Sequence, residues 1–170
     1  MSAATMSNYV IGFPKHSGRG FASESVDLEK KYEDILNELK KAESIGRYSK
    51  LQEIINELEE IFIRCSQNNW DGYGAKAISA NTFLEAKNII TMLNATFLNF
   101  PLPEITPEPD GDIAFEWSDD YGRTFVFSID DNKTLTYAGI FGANDTHGTE
   151  LLGDFIPAPI INHLKRLYPQ

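Results

Sequence analysis

The chain has 170 residues, 42% of them hydrophobic and 24% charged, which suits one globular domain with a true core and argues against global disorder. Its net charge of -10 disfavours direct contact with a nucleic-acid backbone, and no apolar run approaches the roughly 20 residues that span a bilayer. One cysteine, Cys65, excludes an intramolecular disulfide and any multi-cysteine zinc site.

Residues 1–25 show no sustained periodicity and read as a flexible or partner-docking tail, mildly basic through Lys15, His16 and Arg19. Tyr9, Val10, Ile11, Phe13 and Phe21 are more apolar than solvation alone requires, which favours docking. The start lacks a charged segment followed by an apolar one, so a cytoplasmic location is expected. Residues 26–170 read as a single α+β domain: a helical part over 26–100, an acidic sheet over 110–156 and a terminal helix over 157–170.

Leu28, Tyr32, Ile35, Leu36 and Leu39 recur at helical spacing, and after Ser44-Ile45-Gly46 the pattern resumes with Leu51, Ile54, Ile55, Leu58, Ile61, Phe62 and Cys65. Two amphipathic helices joined at that glycine predict an antiparallel hairpin, whose stripes could also pair a second copy of the chain. Asn68-Asn69-Trp70-Asp71-Gly72-Tyr73-Gly74-Ala75 then forms a joint, where two glycines turn the backbone between large side chains. Ser79 is placed to cap a third helix bearing Phe83, Ala86, Ile90, Leu93 and Phe97 on one face. The prolines between Phe100 and Pro109 forbid helix and carry the chain across to the sheet.

From Ile113 the period becomes two. Ile113, Phe115 and Trp117, then Phe125, Phe127 and Ile129, then Leu135 and Tyr137 predict three strands of an antiparallel meander, joined by turns at Asp119-Asp120-Tyr121-Gly122 and Asp130-Asp131-Asn132-Lys133. Gly142 to Gly148 reads as a polar loop, with a fourth strand possible over Glu150 to Ile156. Pro157 to Leu167 reads as the terminal helix, proline in its first turn.

The charge is concentrated. Glu104 to Asp154 contains twelve acids against Arg123 and Lys133, so this segment carries the whole negative excess. A face of that kind keeps a small protein dispersed and also suits a basic protein partner. Trp70, Asp71 and Tyr73 of the joint, with Glu116, Asp119, Asp120, Asp130 and Asp131, are the candidate partner-binding residues. Asp119, Asp120, Asp130 and Asp131 equally suit the local hydrogen bonding of turns, and Trp70 and Tyr73 could plug the gap between helices and sheet. An enzymatic alternative, of hydrolase type, places a carboxylate site at Asp71 and Glu116 with Tyr73. His16, His147 and His163 lack metal-ligand spacing and no nucleophile elbow is present, so neither a metal nor a cofactor is expected.

The joint, followed by Pro109-Asp110-Gly111-Asp112-Ile113-Ala114-Phe115-Glu116-Trp117 and Tyr137-Ala138-Gly139, resembles the signature of a family of small bacterial proteins of uncharacterised function. Those carry Trp-Asp-Gly-Tyr-Gly-Ala, a proline-rich segment and a Pro-Asp-Gly-x-Ile-x-x-Glu-Trp strand. The resemblance covers residues 68–140 and implies a bacterial or mobile-element origin, but no catalytic residue. The expectation is a non-enzymatic, acidic protein-binding module, of the antitoxin, immunity or defence-associated kind. A homo-oligomeric structural module built on the helical hairpin is a further alternative.

Overall fold

The computed structural model describes residues 22–97 and 102–168, with side chains in the first helix described from residue 30. Most of the expected tail, residues 1–21, lies outside the described residues. The chain divides into two compact units, Met1–Ser44 and Ile45–Gln170. Among the described residues, three helices and a five-stranded antiparallel sheet give the expected α+β class. No helix among the described residues is long and apolar enough to cross a membrane.

Helix α1 runs from Ala22 to Arg64 and takes in the last four residues of the expected tail. It corrects the predicted hairpin, because Ser44-Ile45-Gly46 is helical rather than a turn. One glycine inside a run of Glu, Lys, Ala and Leu costs only about 1 kcal/mol, and no proline is present to stop propagation. In the first unit, the described stretch of α1 leaves Tyr32, Ile35 and Leu39 largely exposed.

An antiparallel helical pair does exist, with different members. In the second unit, the end of α1 packs against α2 (Ala80–Thr96), and the joint is their connector. Phe62 stacks on Phe83 at 4.6 Å between ring centroids, and Glu59 meets Lys87 at 3.0 Å, so residue numbers fall on one helix as they rise on the other. Ser79 caps α2 as expected, its hydroxyl accepting from the Thr82 N–H.

The sheet is a meander in chain order: β1 (Glu104–Pro107), β2 (Ile113–Ser118), β3 (Thr124–Ile129), β4 (Thr134–Phe141) and β5 (Asn144–Leu151). Five strands exceed the sequence reading of three or four. β1 lies inside the proline-rich crossover, at a sheet edge where a residue without an N–H is tolerated. β5 occupies the predicted polar loop instead of Glu150 to Ile156, and Gly142, at φ +72°, with Ala143 supplies a two-residue hairpin turn that pairs it with β4.

Register puts Phe115 opposite Phe127 and Ile113 opposite Ile129, so the aromatic residues share one face. Phe115, Trp117, Phe125, Phe127, Ile129 and Leu135 are buried there with Leu58 and Ile61 of α1, Cys65 just after it, Ile89 and Ile90 of α2, and Ile160 and Leu164 of α3 (Ala158–Leu167). Cys65 is fully buried and continues the apolar stripe.

Candidate functional site

Three loops use one device. In each, an aspartate Oδ1 accepts the backbone N–H groups two and four residues ahead. Asp71 holds Tyr73 and Ala75 at 2.8 and 3.1 Å, Asp119 holds Tyr121 and Arg123 at 3.0 and 2.9 Å, and Asp130 holds Asn132 and Thr134 at 2.9 and 2.6 Å. The residue three positions on has positive φ each time: Gly74, Gly122 and Lys133. Asp71 is held below the usual carboxylate range by the Tyr73 and Ala75 amides. Partial desolvation is the largest single influence on Asp119 and Asp130 and works upward, but the hydrogen bonds of Arg123 and Tyr121 to the first, with the Arg123 charge, and of Thr134 and Asn132 to the second together outweigh it and both end lowered. These three candidate acids are therefore occupied with the turns that contain them.

The joint adds further bonds. Asn69, at φ +64°, accepts Gly74 N–H on its side chain and Gly72 N–H on its carbonyl, while Asn68 Oδ1 accepts Ala77 N–H. Lys76 N–H donates to the Pro109 carbonyl at 2.8 Å, and Ile78 N–H to Cys65. Every backbone N–H from Gly72 to Ile78 thus has an acceptor. Trp70 is half-buried against the core and donates its indole N–H to the Lys76 carbonyl at 2.9 Å. Tyr73 is 95% exposed.

The Lys76–Pro109 bond ties the joint to the β1–β2 turn, and that turn is strongly acidic. Glu108, Asp110 and Asp112 each place an oxygen within 4.8 Å of the others. The turn is tight because Gly111 N–H donates to Glu108 O and Glu108 N–H to Asp112 O. Gly111 stands at φ +95°, and a Cβ there would lie 3.1 Å from the Ala77 carbonyl oxygen. In a meander the β3–β4 turn lies at the same end as the β1–β2 turn, so Asp130 and Asp131 join the group. Burial is the main cause that raises Asp112 to about 6, followed by the charges of Asp110, Asp130, Glu108 and Asp131. Glu108 is raised as well, by burial and by Asp110, against an opposing hydrogen bond from Ser128. Chemically, three close carboxylates can share a proton, attract cationic groups or supply oxygens to a hard divalent ion. The alternation Glu108-x-Asp110-x-Asp112 was the sequence signal for this cluster.

Helix α2 is fastened to the same end. Asn81 Nδ2 donates to the Asp131 carbonyl at 3.2 Å, and Lys133 Nζ meets Glu85 at 2.8 Å.

The remaining candidates lie elsewhere. Asp119 and Asp120 occupy the opposite end of the sheet, a six-residue strand and so roughly 20 Å away. There Asp119 grips Arg123 Nε at 2.6 Å, and the Arg123 guanidinium donates to the Leu167 and Arg166 carbonyls, capping the end of α3. Glu116 is exposed in the middle of β2, opposite Glu104 and bonded by the Ser118 hydroxyl at 3.3 Å. It stands four residues from Asp112, roughly 13 Å along the strand. The Asp71 carboxylate is meanwhile bonded within its own loop.

No protein-family model matches the chain, and no curated protein or solved structure matches it.

Proposed function

We propose that the protein is a non-enzymatic, acidic binding module that docks a basic protein partner on the end of the sheet formed by the joint, the β1–β2 turn and the β3–β4 turn. One observation carries the reading: Glu108, Asp110, Asp112, Asp130 and Asp131 converge there, close enough that four of them raise the fifth. Repulsion of this kind is costly in the free protein and is relieved when a cationic surface arrives, which favours fast, oriented association with a basic partner. The motif resemblance and the acidic character suit an antitoxin, immunity or defence-associated role. Isolation of the native partner tests this. The expected partner is basic, is released by raised salt, and binds the Asp110→Asn, Asp131→Asn double variant with a tenfold lower association rate. A partner that is indifferent to salt and to these substitutions refutes it.

A homo-oligomeric role is the second reading, favoured by Tyr32, Ile35 and Leu39 of the first unit. They stand at coiled-coil spacing with at least half of each side chain exposed. Light scattering over a concentration series decides it: a dimer that Ile35→Glu with Leu39→Glu converts to monomer supports self-association, and a monomer throughout ends it.

A further inference from the structure

We propose that the part of α1 in the first unit pairs with the same segment of a second copy of the chain, running antiparallel to it, in a short coiled coil whose twofold axis passes between Glu33 and Asp34. The proposal rests on the reading of Tyr32, Ile35 and Leu39 as a self-association stripe, and assigns to that stripe its partner, direction and register.

Among the described residues of its own unit the stripe has no cover. Between residues 30 and 44 every residue is exposed except Leu36, which is half-buried, and the buried apolar residues of α1 begin only at Ile54. A helix that packs no face is marginal in water, because helices in proteins draw most of their stability from burying one apolar side. Tyr32, Ile35 and Leu39 are spaced by three and four residues, and in the sequence the same spacing reaches back to Leu28. Beyond Leu39 the corresponding positions hold Ala42, Gly46 and Ser49, so the apolar seam has a defined end.

Charge selects the direction. With Tyr32 and Leu39 at heptad position a and Ile35 at d, Lys31 and Glu38 fall at g and Leu36 and Glu43 at e. In a parallel pair each g residue faces the following e residue of the other helix. Glu38 would then meet Glu43 on both sides of the seam, while Lys31 would meet Leu36 and gain no ionic partner. In an antiparallel pair g faces g. When Tyr32 is set against Ile35 of the second copy, Lys31 lies opposite Glu38 on both sides, and no like charges meet within residues 30–44.

The seam and the flanks agree on the register. That alignment also brings Leu39 level with Leu28, so every layer of the seam joins two large apolar residues. Sliding one helix by a heptad in one direction puts Glu38 against its own copy, and in the other direction puts Lys31 against its own copy. A slide of two heptads toward the C-terminus sets Ile35 against Gly46 and Leu39 against Ala42, which empties the seam. Repulsion excludes the near alternatives and lost packing the far one.

Sedimentation equilibrium of the full chain and of three charge variants tests the pair. In the antiparallel arrangement Lys31→Glu alone and Glu38→Lys alone each put like charges together twice, and each should raise the dimer dissociation constant about tenfold at low salt. Lys31→Glu combined with Glu38→Lys restores opposite charges and should return the constant to within about twofold of the parent. Raised salt should shrink the difference between single variants and parent. A dimer that Glu38→Lys tightens and Lys31→Glu leaves unchanged is parallel, which overturns the direction and leaves self-association standing. A dimer dissolved by Ile35→Glu with Leu39→Glu but indifferent to all three charge variants overturns the register. A monomer at every concentration, or a dimer that survives Ile35→Glu with Leu39→Glu, overturns both the pair and the reading on which it rests. The substituted positions are exposed, and matching thermal melts of the variants and parent exclude a folding defect.

Discussion

At neutral pH the Asp112 carboxylate must ionise while half-withdrawn from water and facing four other acids, and this raises it to about 6. A group whose folded pKa lies above its unfolded value of 3.8 stabilises the fold below that value, and the contribution is lost as pH rises through about 6. Asp112→Asn removes this burden. It is expected to stabilise the protein at pH 7 by about 1 kcal/mol, less than the shift alone implies because water screens a half-buried group. Urea denaturation should show the gain at pH 7 and its disappearance near pH 4; an equal gain at both would mean that packing and not charge is responsible. Gly111 bears the opposite kind of constraint. Gly111→Ala forces a side chain into positive φ and against the Ala77 carbonyl, and is expected to cost on the order of 2 kcal/mol in the same assay.

Among the elements, α1 provides the sharpest contrast between a hairpin and a continuous helix. Nothing lies within 4 Å of a Cβ built on Gly46, so Gly46→Ala should stabilise a continuous helix by about 1 kcal/mol. At a hairpin turn with positive φ the same change would destabilise, so the sign of the shift in a thermal melt separates the two. The aromatic strands, the Ser79 cap and the terminal helix were legible in the sequence because burial of one face imposes a period that the residues display. The break at Gly46 was misread because glycine marks turns on average, whereas here its neighbours are strong helix formers. β5 was hidden because the residues on its partly buried face, Thr146, Gly148 and Glu150, are polar or glycine, so the alternation in burial has no apolar counterpart in the sequence. Within the candidate site, the turn role of Asp119 and Asp130 could be read locally. The convergence of Asp112 with Asp130 and Asp131 could not, because it depends on which strand ends the meander brings together. Sequence proximity likewise grouped Trp70, Asp71 and Tyr73, which the hydrogen bonds divide between loop construction and exposure.

For the Ile45–Gln170 unit as a whole, the titrating groups push stability in opposing directions, and their balance predicts the shape of the pH profile. Asp71, Asp119 and Asp130 have lowered pKa values, so their contribution is present above the unfolded value of 3.8 and is lost as pH falls below it. His163 is lowered from 6.5 by burial among Phe125, Tyr137 and Phe141 and by Arg166, so it is most favourable to the fold when neutral. Its contribution is full above 6.5 and declines as pH falls through its folded value. Asp112 acts the other way and favours the fold as pH falls from about 6 toward 4, and Glu108, raised by burial and by Asp110, acts in the same direction. Loss from His163 and gain from the acidic end therefore oppose each other between about pH 4 and 6.5, so the melting temperature should change less across that window than either group alone would make it, before falling below it. The two single variants separate the components. Asp112→Asn removes much of the gain at low pH and should make the melting temperature decline from pH 6.5 downward. His163→Phe keeps an aromatic ring in the cluster, removes the histidine's proton uptake and should leave a profile that rises on acidification to about pH 4. Parallel curves for the parent and both variants would show that neither the acidic end nor the His163 cluster sets the pH dependence of the fold.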